Sequence, residues 1–319
     1  MTERIVILDH DTLGADVVLR RPKIPHTWTV HGRTAADAVV ERAADATVLV
    51  VNKVPLGADT IARLPHLRFV AVAATGTDTV DLAACRARGI VVSNVQGYAV
   101  HTVPEHVFAL LLSLRRSLPA YRESVAAGAW QAGGQFTLLS HPIRDLHGAT
   151  LGIAGFGAIG QAVGRIAEAF GMRVIRAGRK GADTDAPGIV PFHRFLAESD
   201  VITLHCPLTP ATRHLLDDDA FARMERRPLV INTARGALID DAALVRALTG
   251  GLISGAAVDA TAVEPPAPDH PFMALAGRPD FLLTPHIGWA SREARQAVAD
   301  QVTAAIGAFA AGSPINRAA

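Results

Sequence analysis

The chain has 319 residues, of which 50% are apolar and 19% charged, and its 31 basic and 30 acidic residues nearly cancel. At roughly 100–200 residues per domain this length predicts two domains, and so apolar a composition excludes a mainly disordered chain. A net charge of +1 leaves no basic field for a nucleic-acid backbone, so no nucleic-acid partner is expected. Two cysteines, Cys85 and Cys206, give neither a disulfide framework nor closely spaced zinc ligands, and suit a reducing compartment. The apolar run Ile5 to Leu8 is too short for a signal peptide, and Val107 to Leu114 is about half of the ~20 residues that a membrane span needs. A cytoplasmic protein with no membrane partner is expected.

In chain order, short β-branched runs alternate with helix-period stretches. Ile5–Leu8, Val48–Val51, Phe69–Val72 and Ile90–Val92 read as strands, with helices over Thr34–Ala44 and Thr79–Arg88. A long apolar segment, Pro104 to Arg116, opens a second series. Its strands are Leu151–Ala154, Arg173–Ala177, Val201–Leu204, Leu229–Asn232, Ile253–Val258 and Phe281–Leu283. Ile159, Val163, Ile166, Ala167 and Phe170 share one helix face, and Gly171 stops that helix. A further helix is expected from Asp217–Asp219 to Arg226–Arg227, its charges complementing the dipole and Pro228 ending it. Ser291–Phe309 reads as a last helix that returns the chain to the first series.

Nearly continuous apolar strands alternating with helices indicate parallel sheets covered on both faces. The expected fold is therefore α/β, with two Rossmann-like or flavodoxin-like parallel-sheet domains and a cleft between them. Residues 1–99 plus 290–319 form a discontinuous substrate-binding domain in this reading, and 100–289 a dinucleotide-binding domain.

The strongest short motif is LGIAGFGAIG, residues 151–160, because its glycines follow a strand and open a helix. Gly155 permits a tight turn, Gly157 the approach of a pyrophosphate, and Gly160 close helix–strand packing, with Phe156, Ala158 and Ile159 completing the loop. The acid expected ~20 residues on, to bind a ribose diol, is absent. Gly178-Arg179-Lys180 stands there instead, and an Arg can accommodate a 2′-phosphate. The cofactor is NADP(H) or NAD(H), with Arg179 tilting the reading towards NADP(H).

Three charged residues lie just beyond successive strands: Arg235 in INTARG, Glu264 in VDATAVEPP and His286 in TPHIGWAS. Reduction of a 2-oxo acid needs a guanidinium for the carboxylate and an acid for the carbonyl oxygen. A carboxylate beside an imidazole supports its charged form. HTVPEH, residues 101–106, matches no helical zinc pattern, so no metal is expected.

With these motifs the chain resembles the D-isomer-specific 2-hydroxyacid dehydrogenases over nearly its whole length. The resemblance implies Arg235 as substrate clamp, His286 as acid/base and Glu264 as its hydrogen-bonded partner. It also implies that backbone amides at Thr75 and Gly76, in ATGT, hold the substrate carboxylate. Thr102, His205, Cys206, Pro207, Thr212, Thr233, Ala234, Asp259 and Gly288 would line the dinucleotide, Asp259 meeting the nicotinamide carboxamide. Lys53, in VNKVPL, is a further candidate for touching a substrate hydroxyl. AATGTDTVDL, NVQGYAVHTVPEH and HPIRDLHGATLGI look most like the glycerate dehydrogenase, or hydroxypyruvate reductase, branch, making the expected partner a small 2-oxo or 2-hydroxy acid. A homodimer is expected from the resemblance and from the apolar segment Val103–Leu114 with its extension through Trp130. The alternatives are a dehydrogenase for another small acid, or a non-enzymatic dinucleotide sensor of the same fold.

Overall fold

The computed structural model describes residues 2–182 and 186–319. They divide into two compact units, Met1–Ala99 with Ala290–Ala319, and Val100–Trp289.

In the first unit five strands form one parallel sheet. They are β1 (Glu3–Ile7), β2 (His26–Val30), β3 (Val48–Val51), β4 (Phe69–Val72) and β5 (Val91–Asn94), in the order β2-β1-β3-β4-β5. This is the flavodoxin-like order. Because side chains alternate across a strand, an unbroken apolar run supplies both faces. Ile5, Ile7, Val48 and Val50 join one buried cluster, while Val6, Leu8, Leu49 and Val51 join another. Helix α11 (Arg292–Ala310), capped by the Ser291 hydroxyl, lays Val298, Val302 and Ile306 on the first of these faces. Burying each of these side chains contributes roughly 1.5–3 kcal/mol, which ties the last helix to the first unit.

The two helices foreseen between these strands are shorter than expected. Only Val39–Ala43 (α1) is α-helical in the first, after a 3-10 turn, and Thr34 is held outside it by its hydroxyl bond to Leu8 O at 2.5 Å. The second is Leu82–Ala87 (α3), because Thr79 accepts from the Leu56 amide and the Asp81 carboxylate caps Ala84 N. Strand β2 and the short helix Ala58–Ala62 (α2) had no place in the sequence reading.

The second unit begins with α4 (Thr102–Arg115), α5 (Leu118–Ala126) and α6 (Ala129–Gly133). Seven parallel strands follow: β6 (Thr150–Ala154), β7 (Arg173–Ala177), β8 (Ile189–Val190), β9 (Val201–Leu204), β10 (Leu229–Asn232), β11 (Gly255–Val258) and β12 (Phe281–Leu283). Their order, β12-β11-β10-β9-β6-β7-β8, is the doubly wound dinucleotide-binding order with one added strand. Helices α7 (Ala158–Ala169), α8 (Phe192–Glu198), α9 (Asp218–Ala222) and α10 (Asp241–Thr249) connect them. Helix α9 stops well short of Arg227. The Asp219–Arg223 pair closes it, and Arg227 takes a left-handed backbone, φ 50°. No helix among the described residues is long and apolar enough to cross a membrane.

Candidate active site

Strand order reverses between β6 and β9, and ligands of open α/β sheets bind beyond the carboxyl ends of such a pair. Gly155 leaves β6 at φ +95°, and a Cβ there would lie 2.3 Å from Cys206 N, at the end of β9. A Cβ on Gly160 would lie 2.2 Å from Gly155 O, so α7 sits hard against the turn. At Gly157 a Cβ would meet nothing within 4 Å. That open space lies at the N-terminus of a twelve-residue helix, where free amides and the dipole favour phosphate. The Thr233 hydroxyl, beyond β10, is buried with no partner. An open glycine cradle after β6 and an orphaned hydroxyl after β10, at the same edge of the sheet with β9 between them, fit a dinucleotide.

Beyond β7, the Gly178 amide donates to Val190 O at 2.8 Å, and the exposed Arg179 side chain has no ion pair among the described residues. Lys180 is committed elsewhere, to Asp217 at 2.7 Å. Arg176, which the sequence reading passed over, covers the Phe156 ring at 5.0 Å and donates to Gly188 O at 3.1 Å.

His205, Cys206 and Pro207 follow β9. Thr203 holds His205 Nε2 at 3.0 Å, and burial pushes the imidazolium pKa down to about 4. Burial raises the Cys206 thiol. The Thr212 hydroxyl donates to Pro207 O at 2.6 Å and accepts from Thr209 N at 2.8 Å, so it shapes this loop. A half-buried His that stays neutral down to about pH 4 binds its proton more readily when unfolded, at about pH 6.5. Stability should therefore fall as pH drops from about 6.5 towards 4, by an amount on the order of 3 kcal/mol. Thermal unfolding followed across that range should show a smaller acid-induced fall in Tm for His205→Gln; an equal slope would mean that His205 is already solvated.

Arg235, Glu264 and His286 follow β10, β11 and β12 in turn. Asn232 shapes the first of these loops: its Nδ2 donates to Arg235 O at 2.9 Å, and its Oδ1 accepts from Ala234 N at 3.1 Å. Gly236 then packs on the second loop so closely that a Cβ would sit 2.1 Å from the Thr261 carbonyl carbon. The Thr261 amide donates to Glu264 Oε1 at 3.1 Å, leaving Oε2 to hold His286 Nδ1 at 2.6 Å. Nδ1 is thus occupied, and Nε2 is the ring nitrogen without a partner among the described residues.

His286 takes a left-handed backbone, φ 54°, which is strained for a residue with a Cβ. Asp259, only 2% exposed, holds that loop in place. Its carboxylate accepts from Ile287 N at 2.9 Å, Gly288 N at 2.8 Å and the Thr284 hydroxyl at 2.5 Å, with His106 Nε2 at 3.4 Å. Burial alone would raise the Asp259 pKa. Hydrogen bonds from His106, Thr284 and the two amides outweigh it, so the carboxyl lies below its usual value. Asp259 thus has a visible task within the chain, positioning the His286 loop. Thr102 joins the same cluster, its hydroxyl donating to Gly288 O at 3.2 Å.

In the first unit, loop 74–77 follows β4. The Thr75 hydroxyl donates to Val95 O at 2.8 Å and Asn94 Nδ2 to Thr75 O at 2.7 Å, while no described residue accepts from the Thr75 or Gly76 amide. The Lys53 loop is gripped by the buried Asp9 carboxylate, which accepts from the amides of Asn52, Lys53 and Val54 at 2.6–3.1 Å. Asp9, Asn232 and Gly236 carry no sequence signal of their own, although Asn232 ends a strand one residue before the candidate Thr233.

The family model for the D-isomer specific 2-hydroxyacid dehydrogenase NAD binding domain matches residues 108–288. The chain is 44% identical over 317 residues to a glycerate dehydrogenase of Methylorubrum extorquens, covering 99% of each. It is 34% identical over 320 residues to a hydroxypyruvate reductase of Blautia hydrogenotrophica, covering 98% of each. Among solved structures, a D-lactate dehydrogenase of Aquifex aeolicus complexed with NAD and lactic acid superposes with a TM-score of 0.80 at 25% identity, covering 97% of this chain and 96% of that one.

Proposed function

Because the chain belongs to the D-isomer-specific 2-hydroxyacid dehydrogenases, which move hydride between a nicotinamide dinucleotide and a 2-oxo acid, we propose that it is a cytoplasmic, NADPH-preferring hydroxypyruvate reductase of the glycerate dehydrogenase type, with glyoxylate as a second substrate. The observation that carries an enzymatic role is the His286–Glu264 pair at 2.6 Å beside the Arg235 loop, which a protein that merely senses a dinucleotide does not need. Similarity to the Methylorubrum and Blautia proteins supports the substrate assignment.

When bound, the dihydronicotinamide supplies the hydride that reaches the carbonyl carbon. Arg235 offers a planar fork for the substrate carboxylate and draws electron density towards the carbonyl oxygen. His286 Nε2 gives that oxygen its proton, and Glu264 holds Nδ1 so that the ring faces one way in either protonation state. Thr75 and Gly76 would add amide donors for the carboxylate, and Lys53 a donor for the hydroxyl of hydroxypyruvate.

The test is absorbance at 340 nm with NADPH or NADH against hydroxypyruvate, glyoxylate, pyruvate and longer 2-oxo acids. Hydroxypyruvate should give the highest kcat/KM. Dinucleotide binding without turnover of any of these acids would favour the sensor reading. Arg179 supports the NADPH preference. Charge-assisted hydrogen bonds contribute roughly 1.5–3 kcal/mol, less at an exposed site, so about a tenfold preference is expected at low salt. Arg179→Ala should raise KM for NADPH and leave NADH nearly unchanged, and Gly178→Asp should reverse the preference. Equal kcat/KM for both cofactors, indifferent to Arg179→Ala, would show that Arg179 points elsewhere.

A homodimer accounts for the apolar side chains that the 118–143 stretch exposes. Phe136 is 93% and Leu139 79% exposed, with Leu118, Val125, Trp130 and Ile143 also uncovered. Light scattering should give twice the chain mass, and Phe136→Asp with Leu139→Asp should give the single-chain mass. A monomeric wild type would remove this assignment.

A further inference from the structure

A cavity of about 620 Å³ lies at the other end of the second unit's sheet. Its wall includes Leu229 at the start of β10, Ser254 just before β11, and Pro279 and Asp280 just before β12. Arg235, Glu264 and His286 follow the opposite ends of those strands. Four residues of β10, about 13 Å at ~3.3 Å each, therefore separate this cavity from the candidate catalytic set.

Five arginines line it: Arg115, Arg144, Arg226, Arg227 and Arg278. Two are matched, Arg278 by Asp280 at 2.7 Å and Arg226 by Asp200 at 3.2 Å. Arg144 and Arg227 have no ion pair among the described residues. Arg115 is 8% exposed, and its Nη2 donates to Asp145 O at 3.2 Å, but its Nε has no partner. Burial and the nearby Arg144 charge draw its pKa below the ordinary value, against the opposing pull of Asp200 and Asp145. An anion in the cavity would relieve both.

A plainer account makes these arginines counter-charges for helix ends, since α4, α9 and α10 all finish on this side. Each C-terminus presents roughly half a negative charge, felt within its last turn. Three such ends, with Asp200 and Asp280, still leave the guanidiniums in excess. A covering segment from a second copy would not supply the missing charge, because residues 118–143 carry one acid, Glu123, against one arginine, Arg122.

We propose that this cavity binds a small phosphate-bearing anion, recognised by Arg115, Arg144 and Arg227. Guanidinium forks match phosphate oxygens in pairs, and the volume falls within the ~300–1,000 Å³ of small-molecule sites. The site is independent of the dinucleotide loop and of the substrate assignment.

Inorganic pyrophosphate is the probe, measured by calorimetry on the full chain saturated with dinucleotide, so that the Gly155–Gly160 loop is occupied. One pyrophosphate should bind per chain at 0.15 M salt, more weakly as salt rises. The double variant Arg144→Ala, Arg227→Ala changes exposed side chains and should weaken binding at least tenfold, leaving kcat and dinucleotide KM unchanged. Arg115→Lys, which keeps the charge but loses the fork, should weaken it as well. Equal binding by the double variant, or no heat of binding at millimolar pyrophosphate, would overturn the site. Citrate binding as tightly as pyrophosphate would overturn the phosphate assignment.

Discussion

Replacing His286 by Asn is expected to lower kcat for 2-oxo acid reduction about 10²-fold or more, the size of a general-acid contribution. The fold should survive, because among the described residues the ring's hydrogen bond is to Glu264 alone, and the loop is held by Asp259 through the Ile287 and Gly288 amides. Asn has no proton to give at neutral pH, so the loss should fall on kcat, with dinucleotide affinity nearly unchanged. Glu264→Gln should give a smaller loss, since the amide oxygen still accepts from Nδ1 but no longer stabilises an imidazolium. Steady-state kinetics with fluorescence titration of the dinucleotide measures both. Turnover of His286→Asn within threefold of the wild type would remove His286 from the chemistry.

Arg235→Lys is the second substitution with a large expected effect. It keeps one positive charge but exchanges a planar fork for a point charge on a flexible stem, so both carboxylate oxygens can no longer be held in one plane. A loss of roughly 2–3 kcal/mol in transition-state binding, about 30- to 150-fold in kcat/KM for the acid, follows from losing a charge-assisted bond at a partly buried site. The Arg235 backbone is fixed independently of its side chain, by Asn232 on one side and by the Gly236–Thr261 contact on the other. Melting temperature should therefore change little. If NADPH affinity collapsed while the acid's kinetics held, Arg235 would belong to the dinucleotide site instead.

What the sequence determined by itself is the α/β character and most of the strands. A parallel strand covered on both faces is apolar at nearly every position, and so it stands out as a continuous run: VLVV in β3, FVAV in β4, LVI in β10 before the polar Asn232. The glycine loop was legible for a similar reason, since a tight turn between a strand and a helix leaves glycines at fixed offsets. Strand β2, HTWTV, was not legible: it lies at the sheet edge, largely exposed and mixed in polarity. The two-residue β8 is too short to carry any period.

Only the tertiary structure decided how the strand-end loops bear on one another. Periodicity reports which face of an element is buried, not which neighbour buries it. Strand order and register bring Gly236 against Thr261, and through the Thr261 amide fix one oxygen of Glu264, so that the other can hold His286. The Asp259 carboxylate could be read from sequence as a ligand contact. What the sequence does not show is that folding surrounds it with amides 28 and 29 residues away, because a buried carboxylate needs donors and the strained His286 loop supplies them. The five arginines of the opposite cavity, scattered from Arg115 to Arg278, share a wall for the same kind of reason. Parallel strands start at one edge of the sheet, and the residues just before them meet there whatever their distance along the chain.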